Sequence, residues 1–417
     1  KFDALIIGSG MGGLVCGNIL SREGYRVCLI EKNKQFGGCL QIYVRNKVVF
    51  DAGVHYLGGL DKGQNLYQIF KYLGLMDKLK LERMDEAFDR IMLDGDEKLY
   101  EIAQGYEAFI RRLSRDFPGE ERAIRKYCKT MKEICDRFPM YRLRMEGDGR
   151  EKQEVMEISA KIFIDQLTEN NKLRAVLAGN NMLYAGVGAQ TPLYTHALIV
   201  NSYMESAWRC VNGGSLITKT LTANIHSAGG VMLRNREVIK FHVDNGQVAH
   251  VELKDGSRIE AKQFISNIPP ANTFRMISSN LIRQVTRKRF ENMPLTVSSF
   301  IINIVFKKDC YPYVKHNFYY QKPRSVWNLH QYSESEWPLE YAVYLSPSSR
   351  TREFADGMTI FAYMRYEEVS PWASSFNTTS HSGDRGAGYE SFKKKKADRL
   401  LDKVEERFPG LRNCIKT

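Results

Sequence analysis

No stretch of this sequence approaches the roughly 20 consecutive apolar residues that a membrane-spanning helix needs. The strongest uncharged run near its middle, Val297 to Phe306, is only strand-sized. The first residues read as a strand and not as a secretory leader. Lys1 is not an initiator methionine, so we expect the natural start to lie before it. The eight cysteines (Cys16, Cys28, Cys39, Cys128, Cys135, Cys210, Cys310 and Cys414) form no C-x-x-C pair and join no histidine cluster of zinc spacing. No metal site is therefore expected, and the cysteines read as free thiols of a reducing, cytoplasmic setting. The chain shows no internal repeat, no catalytic triad and no paired catalytic carboxylates. Lys+Arg 61 against Asp+Glu 48 leaves a net charge of +13. That excess is dispersed and carries no recognised DNA- or RNA-binding motif, so nucleic acid is not an expected partner.

What is present is the composition of a folded protein. Of 417 residues, 43% are hydrophobic and 26% charged, which excludes disordered and collagen-like chains. At about 150 residues per domain, the length suggests two or three units.

The opening unit is the most informative. Phe2 to Ile7 is a short apolar run, as in a strand buried on both faces. Gly8-Ser9-Gly10-Met11-Gly12-Gly13 follows at once, and Gly8, Gly10 and Gly13 complete G-x-G-x-x-G. Leu14 to Arg22 reads as a helix, Tyr25 to Ile30 as the next strand, and Glu31 closes that strand. Gly8 allows the tight turn, Gly10 removes a Cβ from the path of a pyrophosphate, and Gly13 lets helix and strand pack closely. The helix start offers unpaired N–H groups to phosphates, and Glu31 can accept from a ribose hydroxyl. Strand, glycines, helix, strand and acid arriving in order predict dinucleotide binding. Gly37-Gly38-Cys39 then adds a second site of close backbone approach, and a strand from Val48 runs into Asp51-x-Gly53-Val54-His55. This pattern resembles the FAD-binding half of two-domain flavoproteins, and no second G-x-G-x-x-G follows a strand.

Beyond Asp61 the chain turns helical, with a hairpin around Asp94-Gly95 and long charged helical segments from Gln104 to Met145. A turn at Glu146 to Gly149 leads to a helix from Val155 to Leu177 and another from Thr195 to Trp208. The α/β character returns at Gly213-Gly214-Ser215, with hairpin signals at Asp244-Asn245-Gly246 and Lys254-Asp255-Gly256. Strands of a second sheet are expected at Leu295–Phe306, His316–Gln321, Tyr341–Leu345 and Met358–Arg365. A loop at Ser374 to Gly388 and a helix from Tyr389 to Phe408 complete the chain. The division expected is a nucleotide domain from 1–61 and 206–272, a helical insertion over 62–205, a second sheet over 273–388 and a helix over 389–417.

Several segments now carry a resemblance: Glu31-Lys32 with Gly37-Gly38-Cys39, Phe50 to Tyr56, Tyr184 to Gly188, His196 to Asn201 with Tyr203-Met204, Gly213-Gly214-Ser215, Ser266-Asn267, and Tyr389 to Lys393. The chain is similar to the carotenoid and retinoid oxidoreductases, flavoproteins of the phytoene desaturase type, and within them to the retinol-saturase-like branch. The resemblance implies an α/β fold with a discontinuous, FAD-binding Rossmann-like domain. Into it is inserted a substrate domain of helices plus a mixed or antiparallel sheet. It implies FAD held by Gly8, Ser9, Gly10, Met11, Gly12, Gly13, Glu31, Lys32, Gly37, Gly38, Cys39, Gly53, Val54, His55, Val238 and Asn267, with Val238 at the adenine. It also implies a C-terminal segment that returns to cradle the flavin ring, and the sequence stops at Thr417 without one. The implied activity is saturation or desaturation of a C=C bond in a hydrophobic polyene, with the electron partner unassigned. Because such a substrate must be drawn from a lipid phase, a peripheral membrane contact is expected.

No catalytic residue is assigned by sequence. His55 is the candidate acid, against a structural or cofactor-contacting role. Tyr184 and His196 are candidates for a cavity wall or for core, and Lys393 to Lys396 read as a solvated helix face. Two other functions share the opening fingerprint: a flavin amine oxidase, and a non-catalytic lipid binder like the GDP-dissociation inhibitors of Rab GTPases.

Overall fold

The computed structural model describes residues 1–145, 149–278, 282–293, 296–329, 331–348, 351–375 and 385–417. Glu146 to Asp148 of the turn expected at Glu146 to Gly149, and most of the Ser374 to Gly388 loop, lie outside them.

The opening strand, Phe2–Ile7, sits inside a six-stranded sheet of order 231–233, 27–30, 2–7, 258–266, 247–253 and 238–244. The first four are parallel. The last three form an antiparallel meander whose two turns fall on the Asn-Gly and Asp-Gly signals. Alternation along Phe2–Ile7 sends Ala4 and Ile6 to one face, where Leu14, Ile217, Leu221 and Ile225 of the helices Met11–Arg22 and Ser215–Ser227 cover them. It sends Leu5 and Ile7 to the other face, against Val238, Phe241, Val251 and Leu253. Burial on both faces explains why the strand is apolar throughout.

A second six-stranded sheet has the order 298–305, 355–364, 340–347, 317–321, 87–93 and 99–103. Only the 317–321 and 87–93 pair is parallel. The expected helical insertion therefore supplies two strands of this sheet as well as its helices. One face packs on the helical block, through Ile91, Tyr319, Ala342 and Tyr344. The opposite face packs on the helix Gly386–Glu405, through Val343, Leu345, Leu400 and Val404. A three-stranded ribbon, 57–58 with 207–210 and 81–83, lies at the first two of the three chain crossings between the two units.

Three expectations are corrected. Val155 to Leu177 is three helical pieces, because Ser159 accepts from Ile162 N–H and Asn170 from Lys172 and Leu173 N–H, each starting a new helix. Cys310 and Cys414 are joined in a disulfide, with Cα atoms 5.5 Å apart across 104 residues of sequence. The chain end pairs with the sheet edge there, through Lys307 N–H to Cys414 O at 2.8 Å and a bridge between Phe306 and Ile415. The other six cysteines are free. Lys396 is not on a solvated face: it is buried, ion-paired with Glu368, with its Nζ 4.1 Å from the Trp337 ring.

Candidate functional site

The first strand ends in the glycine loop, and a cleft of about 480 Å³ opens against it. Of the residues singled out by sequence, Gly8, Ser9, Gly10, Glu31, Lys32, Gly38, Val238 and Asn267 line this cleft. Gly8 turns with φ +96. A Cβ on Gly13 would stand 2.1 Å from the Gly8 carbonyl oxygen, so only glycine lets the helix start this close to the strand. Gly10 caps that helix with no side-chain hydrogen bond, and its first turn holds no acid. The helix start is thus open to an anion.

Glu31 is buried and ties the loop together. Its Oε2 accepts from Ser9 N–H at 3.1 Å and Ser9 Oγ–H at 2.6 Å, and its Oε1 accepts from Asn33 N–H at 2.8 Å. Gly37 N–H in turn donates to Ser9 Oγ at 3.2 Å. Glu31→Ala should therefore destabilise the ligand-free chain as well as weaken dinucleotide binding, by about 1.5–3 kcal/mol for the lost charged hydrogen bonds. Urea denaturation and a flavin titration read the two effects separately. Unchanged values in both would remove Glu31 from the site.

Met11, Gly12, Gly13, Gly37, Cys39, Gly53 and Val54 lie outside the cleft wall. Several of them mark a path away from it. Gly38 meets Gly10, its Cβ position 3.1 Å from the Gly10 Cα, and Gly53 meets Cys39 in the same way at 3.2 Å. Two residues on is His55, which lines a second, smaller cleft of about 110 Å³ with Asp51, Arg209, Gly213, Tyr344 and Thr359. The structure thus brings His55 to a different cleft from Glu31 and Val238.

Burial and the Arg209 charge lower the His55 pKa to about 4, so the imidazole is neutral at pH 7. Its ring stacks on Tyr344 with centroids 4.0 Å apart. Burial raises Asp51 to about 6 against the opposing effects of Gly214 N–H and Arg209. Its Oδ1 accepts from Gly214 N–H at 2.7 Å. Arg209, buried, donates to Asn317 Oδ1 at 2.8 Å, Leu345 O at 2.8 Å and Tyr313 Oη at 3.1 Å.

Sequence reasoning missed Arg209 and Tyr344. Neither sits in a motif, and the partners of Arg209 lie more than 100 residues away. Asp51 was visible inside the D-x-G-x-H pattern but was not assigned to the site.

His196 is a core histidine. Its Nε2 and Nδ1 are each 2.7 Å from the hydroxyls of Tyr127 and Tyr184, and burial lowers its pKa to about 3. Glu340 is buried with neither carboxyl oxygen hydrogen-bonded among the described residues, and burial raises its pKa well above the usual carboxylate range. A raised folded pKa means stability is lost as pH rises past the unfolded value. Glu340→Met should thus stabilise the chain by about 1–3 kcal/mol, with a larger gain at pH 8 than at pH 5. Denaturant midpoints at the two pH values test this, and an equal gain at both would contradict the burial argument.

Residues 6–73 match the family model of an NAD(P)-binding Rossmann-like domain. All-trans-retinol 13,14-reductase from Danio rerio is 28% identical over 264 residues, which is 59% of this chain and 43% of that protein. The Homo sapiens protein of that name is 26% identical over 460 aligned positions, covering 100% of this chain and 73% of its own length. Prolycopene isomerase 2 from an Oncidium hybrid cultivar is 24% identical, covering 100% of this chain and 71% of its own. Among solved structures, an oxidoreductase from Methanosarcina mazei superposes with TM-score 0.66 at 17% identity, over 98% of this chain and 85% of that one. A CLA-producing fatty acid isomerase from P. acnes gives 0.63 at 12%, over 100% and 84%. Rab GDI from Plasmodium falciparum gives 0.52 at 11%, over 90% and 86%. The fold is thus that of Rossmann-like dinucleotide-binding oxidoreductases, shared with a Rab GDI. The chain's homologues by sequence, as its motifs implied, are all-trans-retinol 13,14-reductases and prolycopene isomerases.

Proposed function

We propose that this chain is an FAD-dependent oxidoreductase acting on a C=C bond of a hydrophobic polyene. The observation that carries the reading is the continuous set of close approaches from the Gly8–Glu31 cleft through Gly38, Cys39 and Gly53 to His55. A dinucleotide fits the first cleft: an uncapped helix start faces it, Gly10 leaves room, and Glu31 and Val238 supply a carboxylate and an apolar wall. Gly8 to Gly10 would hold the pyrophosphate, Glu31 the ribose, Val238 and Asn267 the adenosine end, and Gly38 to Gly53 the part leading toward His55. When bound, the flavin would supply hydride chemistry, leaving the protein to position substrate and manage protons.

The chain's own residues suit that division. His55 stays neutral at pH 7 and serves as a hydrogen-bonding group rather than a standing cation. Tyr56, Phe88, Tyr203 and Tyr344 pack as a ring cluster beside it, an apolar surface suited to a polyene. The chain's similarity to all-trans-retinol 13,14-reductases and prolycopene isomerases supports a retinoid or carotenoid as the substrate class.

The test is a visible spectrum after incubation with FAD, then chemical reduction and addition of a long conjugated isoprenoid in detergent. Loss of polyene absorbance with matching flavin reoxidation is the expected result. A polyene band that shifts without net flavin oxidation would replace reduction by isomerisation. Turnover of small primary amines instead would favour the amine oxidase, and lipid binding with no flavin band would favour the carrier.

A further inference from the structure

Asp89 lies on 87–93, the strand next to the 99–103 edge of the second sheet, fully buried, on the face that meets the helical block. Its Oδ2 accepts from Tyr56 Oη–H at 2.9 Å and Asn180 Nδ2–H at 2.6 Å, and its Oδ1 accepts from Asn317 Nδ2–H at 2.9 Å. The Tyr56 hydroxyl is 2.8 Å from that of Tyr319, and the Tyr319 hydroxyl is 3.2 Å from that of Tyr344. Tyr344 stacks on His55 and lines the smaller cleft with it. A second link reaches the same cleft, since Asn317 accepts from Arg209, which also lines it. Four oxygen-bearing groups from three strands and the Tyr56 segment thus form one unbroken row from a buried carboxyl to a tyrosine of the cleft wall.

We propose that Asp89 is a proton store for that cleft and that Tyr56, Tyr319 and Tyr344 relay its proton. The proposal rests on the polyene reading for its use, though not for its existence. In the ionised state every hydroxyl in the row can donate toward Asp89, and the Tyr344 oxygen is left as an acceptor. In the protonated state the row reverses: Asp89 donates to Tyr56, Tyr56 to Tyr319, Tyr319 to Tyr344, and the Tyr344 proton is free for an acceptor in the cleft. When that proton leaves, each tyrosine oxygen loses one proton and gains one, and Asp89 ends as a carboxylate that a solvent proton restores. The row moves protons only; the electron pair for C=C reduction belongs to the bound reduced flavin.

Hydroxyl rows that end on a permanently ionised acid would be locked in one direction. Asp89 is not so held: burial raises its pKa to about 7, against the hydrogen bonds from Asn317, Tyr56 and Asn180 and the charge of Arg209. The ionisable groups that face it are Tyr56, Tyr203, Tyr319 and Tyr344 and, from the small ribbon, Arg209. Burial pushes these tyrosines up, so they conduct as neutral hydroxyls. Asp89 and the inner tyrosines are positioning residues, acting on the cleft through Tyr344.

Infrared spectroscopy of the ligand-free chain tests the relay without turnover. The difference between the wild-type and Asp89→Asn spectra, which removes the bands of Asp51 and Glu340, should contain a protonated-carboxyl band that titrates near neutral pH. After transfer to deuterium oxide, the wild-type band should shift quickly. Tyr319→Phe should slow that shift on the order of tenfold or more while leaving the Asp89 titration in place. Tyr344→Phe, which cuts the next link, guards against a folding defect at Tyr319, and Tyr203→Phe, off the row, should leave exchange at the wild-type rate. In the reduced, FAD-loaded chain, polyene-driven flavin reoxidation should slow as pH rises through about 7, and Asp89→Asn should flatten that profile. A band missing at every pH from about 5 to 9, or equal exchange in wild type and Tyr319→Phe, overturns the relay. If no polyene turns over in the wild-type chain, the functional reading fails and the exchange measurement alone decides the relay.

Discussion

Gly13→Ala should cost the chain about 3 kcal/mol or more and abolish dinucleotide binding. The added Cβ would stand 2.1 Å from the Gly8 carbonyl oxygen. That atom is backbone, so no side chain can swing aside. Relief requires moving either the helix Met11–Arg22 or the end of the strand Phe2–Ile7, and both are pinned by buried neighbours on the first sheet. Gly24→Ala is the matched control. Gly24 has φ +84 with nothing within 4 Å of its Cβ position, so its substitution should cost only the left-handed strain, about 1–2 kcal/mol, and leave binding intact. Urea denaturation and flavin titration of both variants make the comparison. A Gly13→Ala chain of wild-type stability that still takes up flavin would mean that the close approach is not what shapes the cleft.

Arg209→Met should destabilise the chain by about 3–5 kcal/mol at pH 8, because it leaves buried carboxyls without their counter-charge. Arg209 lowers the pKa of both Asp51 and Asp89, whose folded values nonetheless stand at about 6 and about 7 because burial dominates. Without the guanidinium both values rise further above those of the unfolded chain. Groups with raised carboxyl pKa lose stability as pH rises, so the deficit of the variant should be smaller at pH 5, where both acids are protonated, and grow toward pH 8. His55 supplies a second reading: the Arg209 charge is one of the two causes holding it at about 4, so its imidazole resonances should titrate at higher pH in Arg209→Met. A deficit independent of pH, with an unmoved His55 titration, would make Arg209 a packing residue rather than the electrostatic centre of the cleft.

The opening unit and the hairpins were legible from residue order alone. Strand, glycine loop, helix and second strand lie within the first 31 residues, and their geometry follows from local rules: an apolar run for a strand buried on both faces, glycine where a Cβ cannot fit, Asx-Gly where strands reverse. Glu31, Gly8 and Gly10 could be placed at one cleft because the βαβ connection leaves few alternatives. Val238 and Asn267 joined them only through the resemblance, since their cleft wall is made by strands more than 200 residues downstream. Tertiary structure decided the rest. Periodicity reveals that 87–93 and 99–103 have apolar faces, but not that they extend a sheet begun after residue 297. Lys396 reads as one of four surface lysines until Glu368 and Trp337 close over it, and Cys310 reads as a free thiol until the chain end folds back beside it. Arg209, Asp89, Tyr319 and Tyr344 carry no motif because each is useful only through residues that strand pairing brings alongside. The register that sets Asn317 beside Asp89 is a property of the assembled sheet, fixed by which hydrophobic faces are buried together, and no local pattern encodes it.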